Sequence, residues 1–228
     1  MPNMTLSNRL MTAVGFARKG KTFADVGTDH GHLPIYLYKN GVVKKAVASD
    51  INPMPLESAR RNIALHGAGK GIDTVLSDGL EKLKDYAPDD IAIFGMGGEL
   101  ICRIIADAPW TKNKNIRLIL QPMTKQDEVR KFLLDEGYAI VGEALSYDDG
   151  KFYQTICAEY SGEKEEYSEA QLILGKHNII NGGELFKKFV ENRTEVYQAR
   201  LAGKRVAGLG DEEENLIKEF EKILEKLK

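Results

Sequence analysis

The chain has 228 residues, of which 43% are hydrophobic and 29% are charged. This composition is typical of a globular protein with room for one α/β domain and a smaller addition. A formal net charge of -2 argues against a uniformly basic nucleic-acid binder, although it leaves a local basic face open. Residues 1–8 lack an apolar core and no run of about 18 apolar residues occurs, so we expect neither a signal peptide nor a membrane span.

Residues 5–14 predict an opening amphipathic helix, because apolar side chains recur there at helical spacing. Ser7 or Thr5 is suited to the N-cap position. We expect this helix to pack on an edge of the sheet. Arg9 is the side chain in it that we predict to reach a substrate.

A short apolar strand at residues 22–26 leads into a glycine turn and a helix over residues 33–39. This is typical of the first unit of a nucleotide-binding α/β sheet, in which the turn approaches the ligand closely. A dinucleotide fingerprint reads G-x-G-x-x-G, but here Asp25 replaces the first glycine and Asp29 follows Gly27. Two carboxylates repel a pyrophosphate and attract a cation. The turn therefore favours S-adenosylmethionine over NAD, and an ordinary strand-to-helix turn is the alternative.

The next two predicted strands also end in acids. Residues 45–49 are followed by Asp50 and Ile51, at the spacing expected for an acid that binds a ribose diol. Residues 72–76 are followed by Ser77-Asp78-Gly79, where a carboxylate can accept from adenine N6. Capping or turn roles are the alternatives. Because ligands of open α/β sheets bind at the carboxyl ends of strands, the acids together predict one shared site.

The fourth predicted strand, residues 91–94, is fully apolar and runs into Gly95-Met96-Gly97-Gly98. Continuous apolar strands fit a parallel sheet that is buried on both faces. The glycines let a flat substrate come close, or they serve only as a tight turn into a helix over residues 99–106. A fifth strand at residues 116–120 ends in Gln121-Pro122.

Residues 138–147 and 151–160, joined by Asp148-Asp149-Gly150, predict an antiparallel hairpin. Five parallel strands followed by a hairpin are typical of a methyltransferase sheet, whereas a dinucleotide-binding domain continues in parallel. The predicted fold class is therefore α/β, with a Rossmann-like class I methyltransferase sheet and a C-terminal helical, coiled-coil-like hairpin.

A charged segment at residues 161–166 marks the predicted domain boundary. We expect an S-adenosylmethionine-binding methyltransferase domain at residues 1–160 and a helical domain at residues 161–228. The second domain is predicted to hold helices over residues 170–180, 185–206 and 212–228, the last two as an antiparallel pair.

Residues 1–70 contain ten basic and four acidic side chains. Three of the acids belong to the predicted donor site, so the remaining surface of this half should be basic. Such a surface suits a phosphate-bearing substrate. The equally weighted alternative is that these lysines only keep the domain soluble. The sequence shows no RNA-binding module and no aromatic ladder.

Five segments of the chain resemble the bacterial tRNA (adenine-22)-N1-methyltransferase family. They are Asp25 to Ile35, Ser49 to Asn52, Ser77 to Leu80, Gly95 to Gly98 and Leu120 to Met123. The combination of D-V-G-T-D-H with G-M-G-G and Q-P-M is far more specific than a glycine motif, and the resemblance covers the whole chain. It implies S-adenosylmethionine as donor, N1 of an adenine in the D-arm region of tRNA as acceptor, a Rossmann-like N-terminal domain and a C-terminal coiled-coil hairpin.

The predicted site residues follow from these turns. The predicted cofactor-binding residues are Asp25, Gly27, Thr28, Asp29, His30, Asp50, Ile51, Ser77, Asp78, Gly79, Gly95, Met96 and Gly97. The predicted substrate-binding residues are Arg9, Gly98, Gln121 and Pro122. The predicted catalytic residue is Asp29, whose carboxylate would stabilise the positive charge that develops on the methylated adenine.

Ring-nitrogen chemistry fits this site. Adenine N1 has a lone pair in the ring plane and needs no general base. Methylation of exocyclic amines is often associated with an Asn/Asp-Pro-Pro-aromatic loop, and this chain has Gly95-Met96-Gly97-Gly98 there. Catalysis would then rest mainly on positioning. The target base must leave its stack first, by base flipping or by opening of the arm.

His30 and His32 lack a well-placed third ligand, so we expect no metal. Cys102 and Cys157 form no C-x-x-C motif, which predicts no disulfide framework and a reducing, cytoplasmic location. Two alternative functions remain, namely a methyltransferase that acts on a small molecule or a protein, and a binding protein that holds a nucleoside without chemistry. The oligomeric expectation is a monomer or a weak dimer.

Overall fold

The structure is a computed structural model that describes residues 4–205 and 210–227. The chain divides into two compact units, of which the first ends at Glu165 and the second begins at Glu166. The predicted boundary after residue 160 falls at the end of the last strand, shortly before this division. No helix in the described ranges is both long and apolar enough to span a membrane.

The first unit is built on a sheet with the strand order β3-β2-β1-β4-β5-β7-β6, which has seven strands within the described residues. The strands are β1 Thr22–Val26, β2 Lys45–Asp50, β3 Ile72–Leu76, β4 Asp90–Gly97, β5 Arg117–Thr124, β6 Tyr138–Asp148 and β7 Lys151–Tyr160. Strands β1 to β5 pair in parallel, and β7 is antiparallel to both β5 and β6. The predicted fold class, a mostly parallel sheet completed by an antiparallel hairpin, is confirmed.

Helices and two short 3-10 turns connect these strands. The helices are α1 Asn8–Phe16, α2 His32–Lys39, α3 Pro53–Leu65, α4 Gly98–Ala106 and α5 Gln126–Asp135, and the 3-10 turns are Leu83–Tyr86 and Pro109–Thr111. The side chain of Ser7 caps α1 by accepting from the Leu10 amide at 3.3 Å, as predicted. Residues 23–26 of β1 and 90–94 of β4 are buried, as expected where helices cover both faces of a parallel sheet, whereas Gly95 is exposed and Met96 and Gly97 are half-buried.

The second unit is helical in its described residues. Its helices are α6 Glu169–Leu174, α7 Lys176–Asn181, α8 Glu184–Arg205 and α9 Asp211–Glu225. The ring of Tyr197 contacts that of Phe220 at 5.5 Å, and Lys204 forms an ion pair with Glu213, so α8 and α9 run antiparallel. The C-terminal helices of the predicted fold are thereby confirmed. Residues 206–209 and 228, which include part of the predicted Gly208-Leu209-Gly210 break, lie outside the described residues.

The prediction of a single helix over residues 170–180 is wrong. Gly175 has φ 90° and ψ 122°, and it is at once the residue after α6 and the residue before α7. These angles lie outside the helical region and in a region that glycine tolerates best. The chain therefore makes two short helices where the apolar spacing predicts one.

A buried ion pair joins α5 to the terminal hairpin. The Nε atom of Arg130 donates to Glu143 Oε1 at 2.6 Å, and both side chains are fully buried. A second guanidinium nitrogen donates to Gln154 Oε1 at 2.7 Å. Breaking such a pair from one side leaves an uncompensated charge inside the protein.

We expect Arg130→Met to lower the free energy of unfolding by about 3–5 kcal/mol, because Glu143 would lose its buried counter-charge. The double variant Arg130→Met/Glu143→Leu should recover part of this loss. Urea unfolding followed by the fluorescence of the single tryptophan, Trp110, measures both. The control is Lys131→Met, which removes an exposed pair with Asp135 at 3.3 Å and should cost less than about 1 kcal/mol. Equal urea midpoints for Arg130→Met and Lys131→Met would contradict the stabilising role of the buried ion pair.

Candidate active site

The strand order brings the predicted acidic turns to one edge of the sheet. Strand β1 lies between β2 and β4, so the connections from the carboxyl ends of β1 and β4 diverge at this point. Asp25 is level with Ala92 of β4, and Asp50 is level with Leu76, the last residue of β3. This is the switch point at which open α/β sheets bind ligands.

The turn after β1 is held by backbone and side-chain hydrogen bonds. The amides of Gly27 and Thr28 donate to the carbonyl of Ser49 at 2.9 and 2.8 Å. The Thr28 hydroxyl donates to Asp25 Oδ2 at 2.6 Å. Gly27 has φ 73°, where a Cβ is strained. Asp25 is thus fixed beneath the turn, with only 6% of its surface exposed.

Burial raises the pKa of Asp25 from its ordinary 3.8 to about 6. The Thr28 hydrogen bond acts against this shift, and the nearby carboxylates of Asp29 and Asp50 add to it. Within the described residues, no basic side chain forms an ion pair with Asp25. A buried carboxyl with acidic neighbours and no cationic partner is suited to a ligand that brings a positive charge.

Close packing surrounds Gly27. A Cβ built on this residue would lie 2.3 Å from Cε of Met96, so the methionine side chain covers the turn. Met96 follows Gly95, which has φ 76°, and the register between β4 and β5 shifts at this point. The end of β4 is therefore an irregular glycine-rich segment over the turn of β1, and such irregularities are common next to active sites.

The turns after β2 and β3 are held by hydrogen bonds and also carry exposed side chains. Asp50 Oδ1 accepts from the Asn52 amide at 2.7 Å, and the Ser77 amide donates to the Asp50 carbonyl at 3.0 Å. Ile51 is 58% exposed. Asp78 and Gly79 line a cavity of about 500 Å³ next to α4. The N-cap alternative for Asp50 is wrong, because the N-cap of α3 is Asn52 and Asp50 accepts from the Asn52 amide in the turn before it. Asp50 ends β2 and Asp78 follows β3, so both lie at the carboxyl edge of the sheet.

Gln121 lies beneath the end of β4 and is completely buried. Its Oε1 accepts from the Gly95 amide at 3.2 Å and from Arg9 Nη1 at 3.1 Å, while its Nε2 donates to the Pro122 carbonyl at 3.0 Å. The guanidinium of Arg9 lies 5.5 Å from the ring centre of Tyr153. Arg9 and Gln121 therefore position the glycine segment of β4, and their direct contact with a substrate stays a prediction. Tyr153 was not predicted, because only the fold places it beneath Arg9.

Gly98 is the first residue of α4, and the neighbouring backbone leaves no room for a side chain there. A Cβ there would lie 2.6 Å from the Thr124 carbonyl oxygen and 2.8 Å from that of Lys125. Pro122 is buried, and its carbonyl also accepts from Gln126 at 3.2 Å. Both predicted substrate residues thus have a packing function in this structure, which leaves their substrate contacts as predictions.

Asp29 and the two histidines form the outer part of the turn. The Asp29 side chain is 88% exposed, and Oδ1 lies 3.1 Å from His30 Nε2. The rings of His30 and His32 stack at 5.6 Å. Partial burial and the neighbouring His30 lower the pKa of His32. The described part of the chain holds no group of three or more His, Cys, Asp or Glu side chains that could bind a metal ion.

Many cations of the first 70 residues lie at the opposite edge of the sheet. Lys45 begins β2, the Lys44 amide donates to the Lys21 carbonyl at 3.1 Å, and Lys21 pairs with Asp89 at 3.2 Å. Arg18 is likewise paired, with Asp90 at 2.6 Å. Four of the ten cations of residues 1–70 therefore lie near the amino ends of the strands, and Asp89 and Asp90 pair with two of them.

We expect Asp25→Asn to stabilise the ligand-free protein at about pH 8, by at most about 3 kcal/mol. An acid whose pKa is raised by folding stabilises the fold only while protonated, and this contribution is lost as the pH rises from about 4 through about 6. Asparagine cannot ionise, so the gain should vanish near pH 4. Urea unfolding at several pH values measures it, with Asp78→Asn as the exposed control. A gain in the free energy of unfolding that does not depend on pH would contradict the claim that ionised Asp25 destabilises the fold.

A family model described as "Methyltransferase domain" matches residues 6–156. The tRNA (adenine(22)-N(1))-methyltransferase of Bacillus subtilis (strain 168) is 35% identical over 175 residues, which cover 77% of this chain and 74% of that protein.

Solved structures agree with this relationship. Two crystal structures of Streptococcus pneumoniae Sp1610, a putative tRNA (m1A22) methyltransferase, match with TM-scores of 0.87 and 0.84 at 29% and 30% identity. Each match covers 96% of this chain and 100% of theirs, and the second structure is a complex with S-adenosyl-L-methionine. M. capricolum TrmK in complex with S-adenosyl-homocysteine matches with a TM-score of 0.82 at 27% identity, over 99% of this chain and 100% of that one. With the acidic switch-point site, these matches show that the chain belongs to the bacterial tRNA (adenine-22)-N1-methyltransferase family.

Proposed function

We propose that this protein transfers a methyl group from S-adenosylmethionine to N1 of adenine 22 in tRNA. The observation that carries the proposal is the buried Asp25 at the switch point, which has acidic neighbours and no cationic partner in the described residues. A phosphate-bearing dinucleotide would be repelled there, whereas a cationic methyl donor is attracted. The family relationship supports the same donor and the same acceptor.

The donor fits the residues that line this edge. Asp25 would face the ammonium group and Asp50 the ribose hydroxyls, while the Ser77-Asp78-Gly79 turn would receive the adenine. Gly27 and Gly95 allow backbone to approach the ligand closely, because both occupy positive φ without a side chain. Met96, which covers Gly27, would pack against the bound donor.

When bound, the donor supplies a sulfonium methyl group, whose C–S bond breaks with its electron pair going to sulfur as the N1 lone pair forms the new N–C bond. No proton has to leave, so the protein needs no general base. The glycine segment from Gly95 to Gly98 carries no acid or base at this point, which agrees with that chemistry. The chain contributes mainly by holding the base in line.

We propose a charge-stabilising role for Asp29. Its carboxylate is exposed next to the glycine turn and is oriented by His30. Methylation at N1 gives a cationic adenine, and a carboxylate near the ring stabilises that charge most in the transition state and product. We assign Asp29 as the catalytic residue on this ground.

The acceptor base has to be exposed before attack, so the proposal includes flipping of adenine 22 or opening of its arm. It also includes a cytoplasmic location, in which Cys102 and Cys157 remain reduced and tRNA is available. The protein acts without a metal, as a monomer or a weak dimer.

Methyl transfer from labelled S-adenosylmethionine to an unmodified tRNA transcript with adenine at position 22 tests the function. We expect label in this transcript and none in a twin with guanine at that position, because only adenine offers an N1 lone pair without a proton. Label in both transcripts would contradict the site assignment. Donor binding without label in either would contradict the tRNA substrate.

We expect Asp29→Ala to lower kcat by about tenfold or more with little change in the Kd of the donor, because its carboxylate acts on the developing charge. Single-turnover kinetics and calorimetric titration measure the two quantities. Glu57→Ala, which removes an exposed acid of α3, is the matched control. Equal losses in turnover and donor affinity would make Asp29 a donor ligand only.

A further inference from the structure

The tip of the terminal hairpin carries an exposed aromatic pair. Tyr147 of β6 is directly opposite Phe152 of β7, and their ring centres lie 4.8 Å apart. Tyr147 is 48% exposed, so part of its ring faces solvent while Phe152 supports it from the side. Asp149 and Gly150 complete the tight turn with φ 48° and 75°.

A continuous series of contacts ties this tip to the active site. Asn8 Nδ2 donates to the Tyr147 carbonyl at 3.3 Å, and the Arg9 amide donates to Asp148 Oδ2 at 2.6 Å. Through its side chain Arg9 contacts Gln121, which holds the Gly95 amide. The tip is thus part of the same hydrogen-bonded structure as the glycine segment of β4.

The topology places the tip on the same edge as the donor site. Strand β7 is antiparallel to β5 and β6, so β6 runs in the direction of the parallel strands and ends at their carboxyl edge. Three strand spacings of about 4.8 Å separate β4 from β6 in the sheet order, or about 14 Å in all. A neighbouring nucleotide of a bound RNA can span that distance.

We propose that the exposed ring of Tyr147, supported by Phe152, stacks on a tRNA base next to adenine 22. This inference rests on the proposed function. When adenine 22 leaves the helical stack, its neighbours lose a stacking partner. Proteins bind such unstacked RNA bases on aromatic side chains, whose flat faces accept any base. An exposed ring on the edge where the target base reacts supplies that surface.

A purely structural role is the competing explanation, because cross-strand aromatic pairs also stabilise hairpins. The chain offers a matched control at the other end of the same hairpin. Tyr138 and Tyr160 are also opposite each other, with ring centres 5.5 Å apart. That pair lies at the amino edge of the parallel strands, away from the donor site.

The test compares Tyr147→Leu and Tyr147→Phe with Tyr160→Leu. Tyr147→Leu should raise KM for tRNA by about fivefold or more, with kcat at saturating tRNA and the Kd of the donor unchanged. Tyr147→Phe keeps the ring and should behave as wild type. Tyr160→Leu should cost stability without changing KM. An unchanged KM in Tyr147→Leu, or an equal rise in Tyr147→Phe, would overturn the proposal.

Binding of a transcript with 2-aminopurine at position 21 or 23 provides a readout that is independent of turnover. Stacking on Tyr147 should quench its fluorescence in the wild type and in Tyr147→Phe, and Tyr147→Leu should lose that quenching. Equal quenching in all three proteins would overturn the stacking proposal. Quenching that depends on the ring in a protein that transfers no methyl group would contradict the proposed function and support the stacking surface.

Discussion

The site depends on one buried carboxyl group. Asp25, the next-to-last residue of β1, accepts from Thr28 and is covered by a turn whose amides donate to the Ser49 carbonyl. Its burial is costly when the group is ionised, and the adjacent carboxylates increase that cost. A fold retains such a group where a ligand compensates it. In the proposed function, the same carboxyl that weakens the empty protein at neutral pH would select a cationic ligand, which would couple stability to binding.

The second constraint is the Gln121 side chain, which joins three parts of the unit that are distant in sequence. It holds the Gly95 amide at the end of β4 and is itself held by Arg9 of α1. Arg9 in turn contacts Tyr153 and Asp148 of the hairpin. Helix α1 is thus more than a cover for the sheet edge. It links the hairpin by hydrogen bonds to the glycine segment that, in the proposed function, would meet the acceptor base.

Glycine at the end of β4 suits the chemistry and the packing together. Gly95 has φ 76°, and a Cβ on Gly98 would lie 2.6 and 2.8 Å from two carbonyl oxygens. A segment without functional side chains can still serve a reaction in which the acceptor supplies its own lone pair. In the proposed function, catalysis would depend on alignment, and the buried Gln121 and the turn of Asp25 would support it. The exposed Asp29 adds a charge without disturbing this support.

The sequence by itself determined a mostly parallel α/β sheet, the acids at three strand ends and the terminal hairpin. These features depend on local signals, namely apolar runs, glycine turns and the spacing of Asp25, Asp50 and Asp78. The split at Gly175 was missed although the glycine is visible, because apolar spacing does not show a backbone angle. Only the tertiary structure decided that Gln121 is buried and hydrogen-bonded to Arg9, 112 residues away, and that Asp25 has no ion pair with a basic side chain within residues 4–205 and 210–227. Both depend on which distant side chains meet, and burial and charge pairing arise only when the chain is folded.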